Sequence, residues 1–174
     1  MKRFMVAMVL GLLCVASPTS VDASGPKPPS VDMSNLNKIF VGWVDWDPDE
    51  YRLLNYSTKE DWVKDINSAN AYFQGGMKAE YLAGRTVTLA KNREDVNAAG
   101  NDLYIKFTNV SEDKGYRLRL AVHFIDPKTD TELAVVPEDV YSAHGHFCVL
   151  EGCMQLELNK VGGLVKKMVS PPKK

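Results

Sequence analysis

The sequence predicts an α/β (α+β) domain, a mixed sheet of about five strands in the order β-α-β-β-β-β-α covered by two main helices. Three observations carry this prediction. An apolar strand with no polar face opens the body of the chain. A stripe at helical spacing follows it. The remainder then alternates with a two-residue period until a second helical stripe closes the chain.

The first strand is KIFVGWVDW, residues 38–46. Strict alternation puts Ile39, Val41 and Trp43 on one face and Phe40, Val44 and Trp46 on the other, the pattern of a central strand covered on both sides. Asp47-Pro48-Asp49 turns the chain, and Ser57 with Glu60 three residues later reads as a capping box. Trp62, Ile66, Ala69, Phe73, Met77 and Tyr81 then form a helical stripe. Gly75-Gly76 is a place to kink or fray that helix, and Gly84 is a natural stop. TVTLA (86–90) is a short strand, followed by a polar loop and by the alternating run LYIKFTNV (103–110). YRLRLAVHFI (116–125), the turn DPKTDT and the run ELAVVP make a hairpin. The last helix carries Phe147, Leu150, Met154, Leu158, Val161, Val165 and Met168 along one face. The β-α-β unit implies parallel strands joined by a right-handed crossover, and the later strands imply an antiparallel meander.

With 174 residues, 45% hydrophobic and 25% charged, the chain suits one domain. Its formal net charge of −1 gives no electrostatic pull toward nucleic acid or an anionic membrane surface. Lys2 and Arg3 precede the apolar run FMVAMVLGLLCVA (4–16), which is too short to span a bilayer as a helix. Val21-Asp22-Ala23 supplies a small-residue cleavage site, with Ala16 as an earlier alternative, so residues 1–23 read as a signal peptide. Residues 24–37, rich in Pro, Ser and Gly, read as a flexible linker, 38–169 as the single domain, and 170–174 as a disordered tail. The expected location is the periplasm or outside the cell, with no transmembrane span in the mature chain. Cys14 opens an outer-membrane lipoprotein alternative, although Leu12 and Leu13 before it are not the small residues such a site uses.

The strand IFVGWVDW, the helix ending AEYLAG, the strand NDLYIKF and the hairpin HFIDPKTDTELAVV together resemble a bacterial envelope architecture. They are similar to the α/β domain at the amino terminus of TolB and in the periplasmic part of the curli-secretion channel. Residues 39–168 also resemble uncharacterised secreted proteins of gut Bacteroidetes. The resemblance implies a domain that binds or assembles in the envelope, and it carries over no catalytic residue. The hairpin turn of those domains usually carries Gly where this chain has Asp130.

The densest chemistry is HGHFCVLEGC, with His144, His146, Cys148 and Cys153 inside ten positions. These residue types suit zinc, but the spacing is not a common zinc pattern. If one helix held both cysteines, about 7.5 Å of rise and about 140° of rotation would separate their Cα atoms by roughly 8.7 Å. A disulfide needs under about 7 Å. A helix starting only at Cys153 or Met154 would instead let the turn before Gly152 fold back. Packed thiols, a disulfide and a metal site therefore stand as three readings. A Cys148 thiolate paired with His123 or His144 is a weaker catalytic arrangement.

Asp45, Asp47 and Asp49 have calcium-loop spacing, but Glu50 and Tyr56 stand where such a loop needs Gly and Glu. Of the three tryptophans, Trp62 and Trp43 read as core, and Trp46 beside the acidic turn as the one to present an aromatic surface. No phosphate loop, catalytic triad or paired-carboxylate signature is present. The expectation is a non-catalytic binding or assembly domain without a cofactor. It would offer the edge strand 86–90 or the 45–56 region, with Trp46, Asp47, Asp49 and Tyr51, to an envelope protein. The alternative is a zinc- or thiol-dependent protein built on 144–153.

Overall fold

A computed structural model describes residues 32–46, 49, 57–109, 120–136 and 150–170. The signal-peptide, Cys14 and tail expectations lie outside the described residues, apart from Ser170. The elements are β1 (Lys38–Val44), α1 (Lys59–Gly76) continued by one π-helical turn (Met77–Tyr81), β2 (Thr86–Leu89), β3 (Leu103–Asn109), β4 (Leu120–Asp126), β5 (Thr131–Val136) and α2 (Leu150–Val169). The five strands form one mixed sheet in the order β2-β1-β3-β4-β5. β1 runs parallel to both β2 and β3, and β3, β4 and β5 form the antiparallel meander. The α/β class and the element order are those that the sequence pattern predicts.

Both helices cover the same face of the sheet. Trp62, Ile66, Phe73 and Met77 of the first helix and Met154, Leu158, Val161 and Val165 of the second share one core with Ile39, Val41, Ile105, Phe107, Val122 and Phe124. Burying each such large side chain contributes about 1.5–3 kcal/mol. The second face of β1 is covered by no helix among the described residues. Phe40 is instead capped by Ala90 and Ala98 from the loop between β2 and β3, with Trp43 and Tyr104 alongside.

Local chemistry explains the element ends. α1 is capped by Thr58, one residue later than the expected Ser57, and the Thr58 hydroxyl accepts from the Asp61 backbone N–H at 3.1 Å. Gly75-Gly76 does not break the helix. A Cβ on Gly76 would lie 2.3 Å from Leu158, and one on Gly162 would lie 2.4 Å from the Tyr81 ring. These two glycines let the helices approach closely, which a side chain at either position would prevent. Gly84 (φ 84°) provides the left-handed residue that turns the chain into β2.

Residues 32–37 belong to the folded domain and not to a free linker. Met33 is 1% exposed in the main core. Arg85, just before β2, donates to the carbonyls of Ser34 and Leu36 and to that of Val169 at the end of α2. One guanidinium, with donors in a rigid fork, thus ties the entering chain to the last helix. Asp102 accepts the backbone N–H groups of Asn37 and Lys38 at 3.2 and 3.0 Å. The Lys38 hydrogen bond, the largest influence, holds the Asp102 carboxyl below the usual carboxylate range.

Candidate functional site

The site forms at the carboxyl ends of the parallel strands β1 and β2. Val41 pairs with Ile105 and Val44 with Phe107, so three steps along β1 match two along β3. This β-bulge at Gly42-Trp43 reverses the alternation for the rest of the strand. Val44 and Trp46 therefore turn into the main core with Ile39 and Val41, while Trp43 joins Phe40 on the other side. A Cβ on Gly42 would sit 2.9 Å from the Tyr104 ring and 3.1 Å from the Ile105 carbonyl oxygen, so only glycine allows the backbone to approach β3 this closely.

A bulge leaves backbone groups without ladder partners, and buried ones must be satisfied elsewhere. α1 reaches this stretch with two carboxamides one turn apart, and the Val41 carbonyl also accepts the Ala90 N–H from the β2 side. Asn70, fully buried, accepts the Val44 N–H at 2.8 Å and donates to the Val44 carbonyl at 3.2 Å. Gln74, 3% exposed, donates through Nε2 to the carbonyls of Val41 and Gly42 at 3.3 and 3.0 Å. The Asn70–Val44 pair imitates one rung of a sheet, with a helix side chain in place of a strand.

The strand end, so held, borders an open cleft of about 450 Å³ lined by Trp43, Asn67, Gln74, Leu89, Lys91 and Asn92, with two alanines between them. Trp43 is half-buried there. Both side-chain hydrogen bonds of Gln74 among the described residues use Nε2, leaving Oε1 as an acceptor beside the cleft. Lys91 is the single charged residue of this lining. Nearby, Arg93 pairs with Asp45 at 2.7 Å, so that cation is already neutralised by its neighbour. Behind the strand, Tyr104 meets Phe40 edge to face at 5.4 Å. Burial, with a contribution from the Asp95 carboxylate, pushes the Tyr104 hydroxyl above its ordinary range. The arrangement offers a ring face, amide donors and acceptors, and one amine.

The structure corrects the tryptophan assignment. Trp46 is 5% exposed and packs edge to face on Trp62 at 5.9 Å, so it is core and presents no surface. Trp43, the strand residue expected inside, is the one that borders the cleft. The bulge is the physical reason, because one extra residue exchanges the two faces. The sequence contained the signal in Gly42, since a glycine inside an apolar strand marks a bulge or a close backbone approach. Asn70 and Gln74 carried no such signal, because polar residues on a helix read as solvated until their partners are known.

Of the other candidates, Asp49 is exposed and pairs with Lys59 at 2.6 Å. Asp47 and Tyr51 lie outside the described residues, as do His144, His146 and Cys148. α2 begins at Leu150, so Gly152 and Cys153 are both helical. Cys148 precedes the described helix, so its relation to Cys153 lies outside the described residues. His123 of β4 meets Glu132 of β5 at 2.6 Å. Among the described residues no group of three or more His, Cys, Asp or Glu is placed to hold a metal ion.

No protein-family model and no curated protein matches this chain. Among solved structures, the PelC dodecamer of Paraburkholderia phytofirmans aligns with a TM-score of 0.36 and 13% identity, over 85% of this chain and 91% of that one. A score at that level carries no argument about function. No helix of the described residues is long and apolar enough to cross a membrane.

Proposed function

We propose that this protein is a non-catalytic binding or assembly domain of the bacterial cell envelope, and that it holds a protein partner at the carboxyl ends of β1 and β2. The observation that carries the reading is the cleft beside Trp43. Its lining is an aromatic ring, carboxamides, aliphatic groups and one amine. Such a set recognises by stacking and hydrogen bonding, whereas acid–base or nucleophilic catalysis pairs groups that exchange a proton. The leader-like segment 4–16 and the resemblance to the TolB amino-terminal and curli-channel domains favour the envelope as its location.

The test is a photo-crosslinking experiment in intact cells. A benzoylphenylalanine at position 91, on the cleft, is compared with one at position 135, which is 39% exposed on β5. The expected result is a discrete cross-linked protein from position 91 that is absent from position 135. Equal labelling from both positions, or none from position 91, would overturn the reading.

A further inference from the structure

We infer that the partner is an extended peptide segment that adds as a strand to the outer edge of β2 and seats one apolar side chain against Trp43. This deepens the proposed function and rests on it. The argument begins with the hydrogen bonds of β2. Thr86 N–H donates to the Asn37 carbonyl at 3.0 Å, and Ala90 N–H donates to the Val41 carbonyl at 2.9 Å. Along a parallel pair, alternate residues direct both backbone groups toward the neighbour. The even-numbered residues of β2 therefore face β1, and Val87 and Leu89 direct their N–H and C=O groups outward. Among the described residues nothing pairs with that side, because β2 is the terminal strand of the sheet.

Three features make this edge receptive. It carries no proline and no charged residue, two common means of blocking an edge strand. Its side chains Thr86 and Thr88 are exposed, and threonine suits cross-strand pairing. The cleft begins where β2 ends, with Leu89 in its lining, so a chain laid along the edge would reach the cleft that Trp43 also lines. Backbone pairing supplies affinity in this mode, and a pocket at the strand end supplies specificity. The Lys91 ammonium at the same end favours an acidic residue beside the seated apolar one.

The test uses a random peptide library displayed on phage, selected against the purified protein, with the best binder resynthesised as the probe. On binding, the amide protons of Val87 and Leu89 should gain protection from hydrogen exchange. N-methylation of alternate probe amides should abolish binding, and N-methylation of the intervening ones should leave it nearly unchanged. Trp43→Ala should weaken the probe by tenfold or more, as expected for a tryptophan anchor. The N-methylation pattern does not depend on how well that variant folds. Failure to enrich any peptide, protection on β5 in place of β2, or uniform sensitivity to N-methylation would each overturn the strand-addition mode. If position 91 still cross-links in cells after such a result, the binding domain stands and only the mode falls. Loss of both removes both.

Discussion

β2 and β5 bound the same sheet, yet among the described residues β5 carries more of the devices that commonly keep an edge strand from pairing. β5 has a register shift against β4 between Phe124 and Ile125, and its Glu132 is tied across the outer face to His123. Its turn passes through Asp130 with φ at 54°. β2 is four residues of Thr, Val and Leu with an unbroken register against β1. Among the described residues its shortness is its only protection. The two regions also differ in what supports them. β5 is held by a local hairpin, whereas the β1–β2 end depends on side chains reaching from α1. An edge with strong internal support and no guard is what a recruitment surface requires, and a guarded edge is what a solvent boundary requires.

The sharpest way to break this contrast is at Asn70. Asn70→Leu keeps the branching at Cγ but removes the carboxamide hydrogen bonds of the buried Val44 N–H and C=O, so urea unfolding should report a loss of about 2–4 kcal/mol. A change under 0.5 kcal/mol would mean that the carboxamide is not the support assigned to it. On the other side, the turn before β5 should respond to backbone conformation. Asp130→Val should cost about 1–2 kcal/mol because a β-branched residue tolerates positive φ poorly, whereas Asp130→Gly should stabilise slightly. Thermal unfolding of the two variants, displaced in opposite directions, checks this.

Removing the guard on β5 should matter less for stability than for association. Glu132→Val should change unfolding by less than about 1 kcal/mol, because the pair with His123 is part-exposed. It should nevertheless make the protein self-associate with rising concentration in analytical ultracentrifugation, since an unguarded edge then exists on both sides.

Acid should treat the two regions alike. Backbone hydrogen bonds hold the carboxyls of Asp102, just before β3 and bonded to the start of β1, and Asp126, at the β4–β5 turn, below the usual range. A group whose folded pKa is depressed contributes stability above its unfolded value, about 3.9 for Asp, and loses it as pH falls through the folded pKa. Stability should therefore decline below about pH 4. Asp102→Asn and Asp126→Asn should each flatten that decline, as measured by chemical unfolding across the acid range.

Much of this fold was legible in the sequence. The stripe from Trp62 to Met77 and the alternation of Leu120, Val122 and Phe124 identify buried faces, because a single period governs each element. Met33 was not legible: one methionine in a Pro- and Ser-rich stretch has no periodicity to reveal its burial. The site was harder still. It depends on a one-residue break in the period at Gly42 and on two amides whose partners lie 26 to 33 positions away in the chain. Local pattern assigned Trp43 and Trp46 to the wrong faces because it assumed an unbroken strand. The turn residue Asp130 has a positive φ, a conformation that favours Gly and that no local periodicity reveals.

The most direct measurement is a pair of affinities for the protein captured at position 91. The captured partner, purified, is titrated calorimetrically against the native protein, Trp43→Ala and Val135→Ala, each confirmed folded by circular dichroism. If the β2 end is the working surface, Trp43→Ala should bind about thirtyfold more weakly and Val135→Ala within about twofold of the native protein. Equal weakening by both variants, or native affinity for Trp43→Ala, would contradict it.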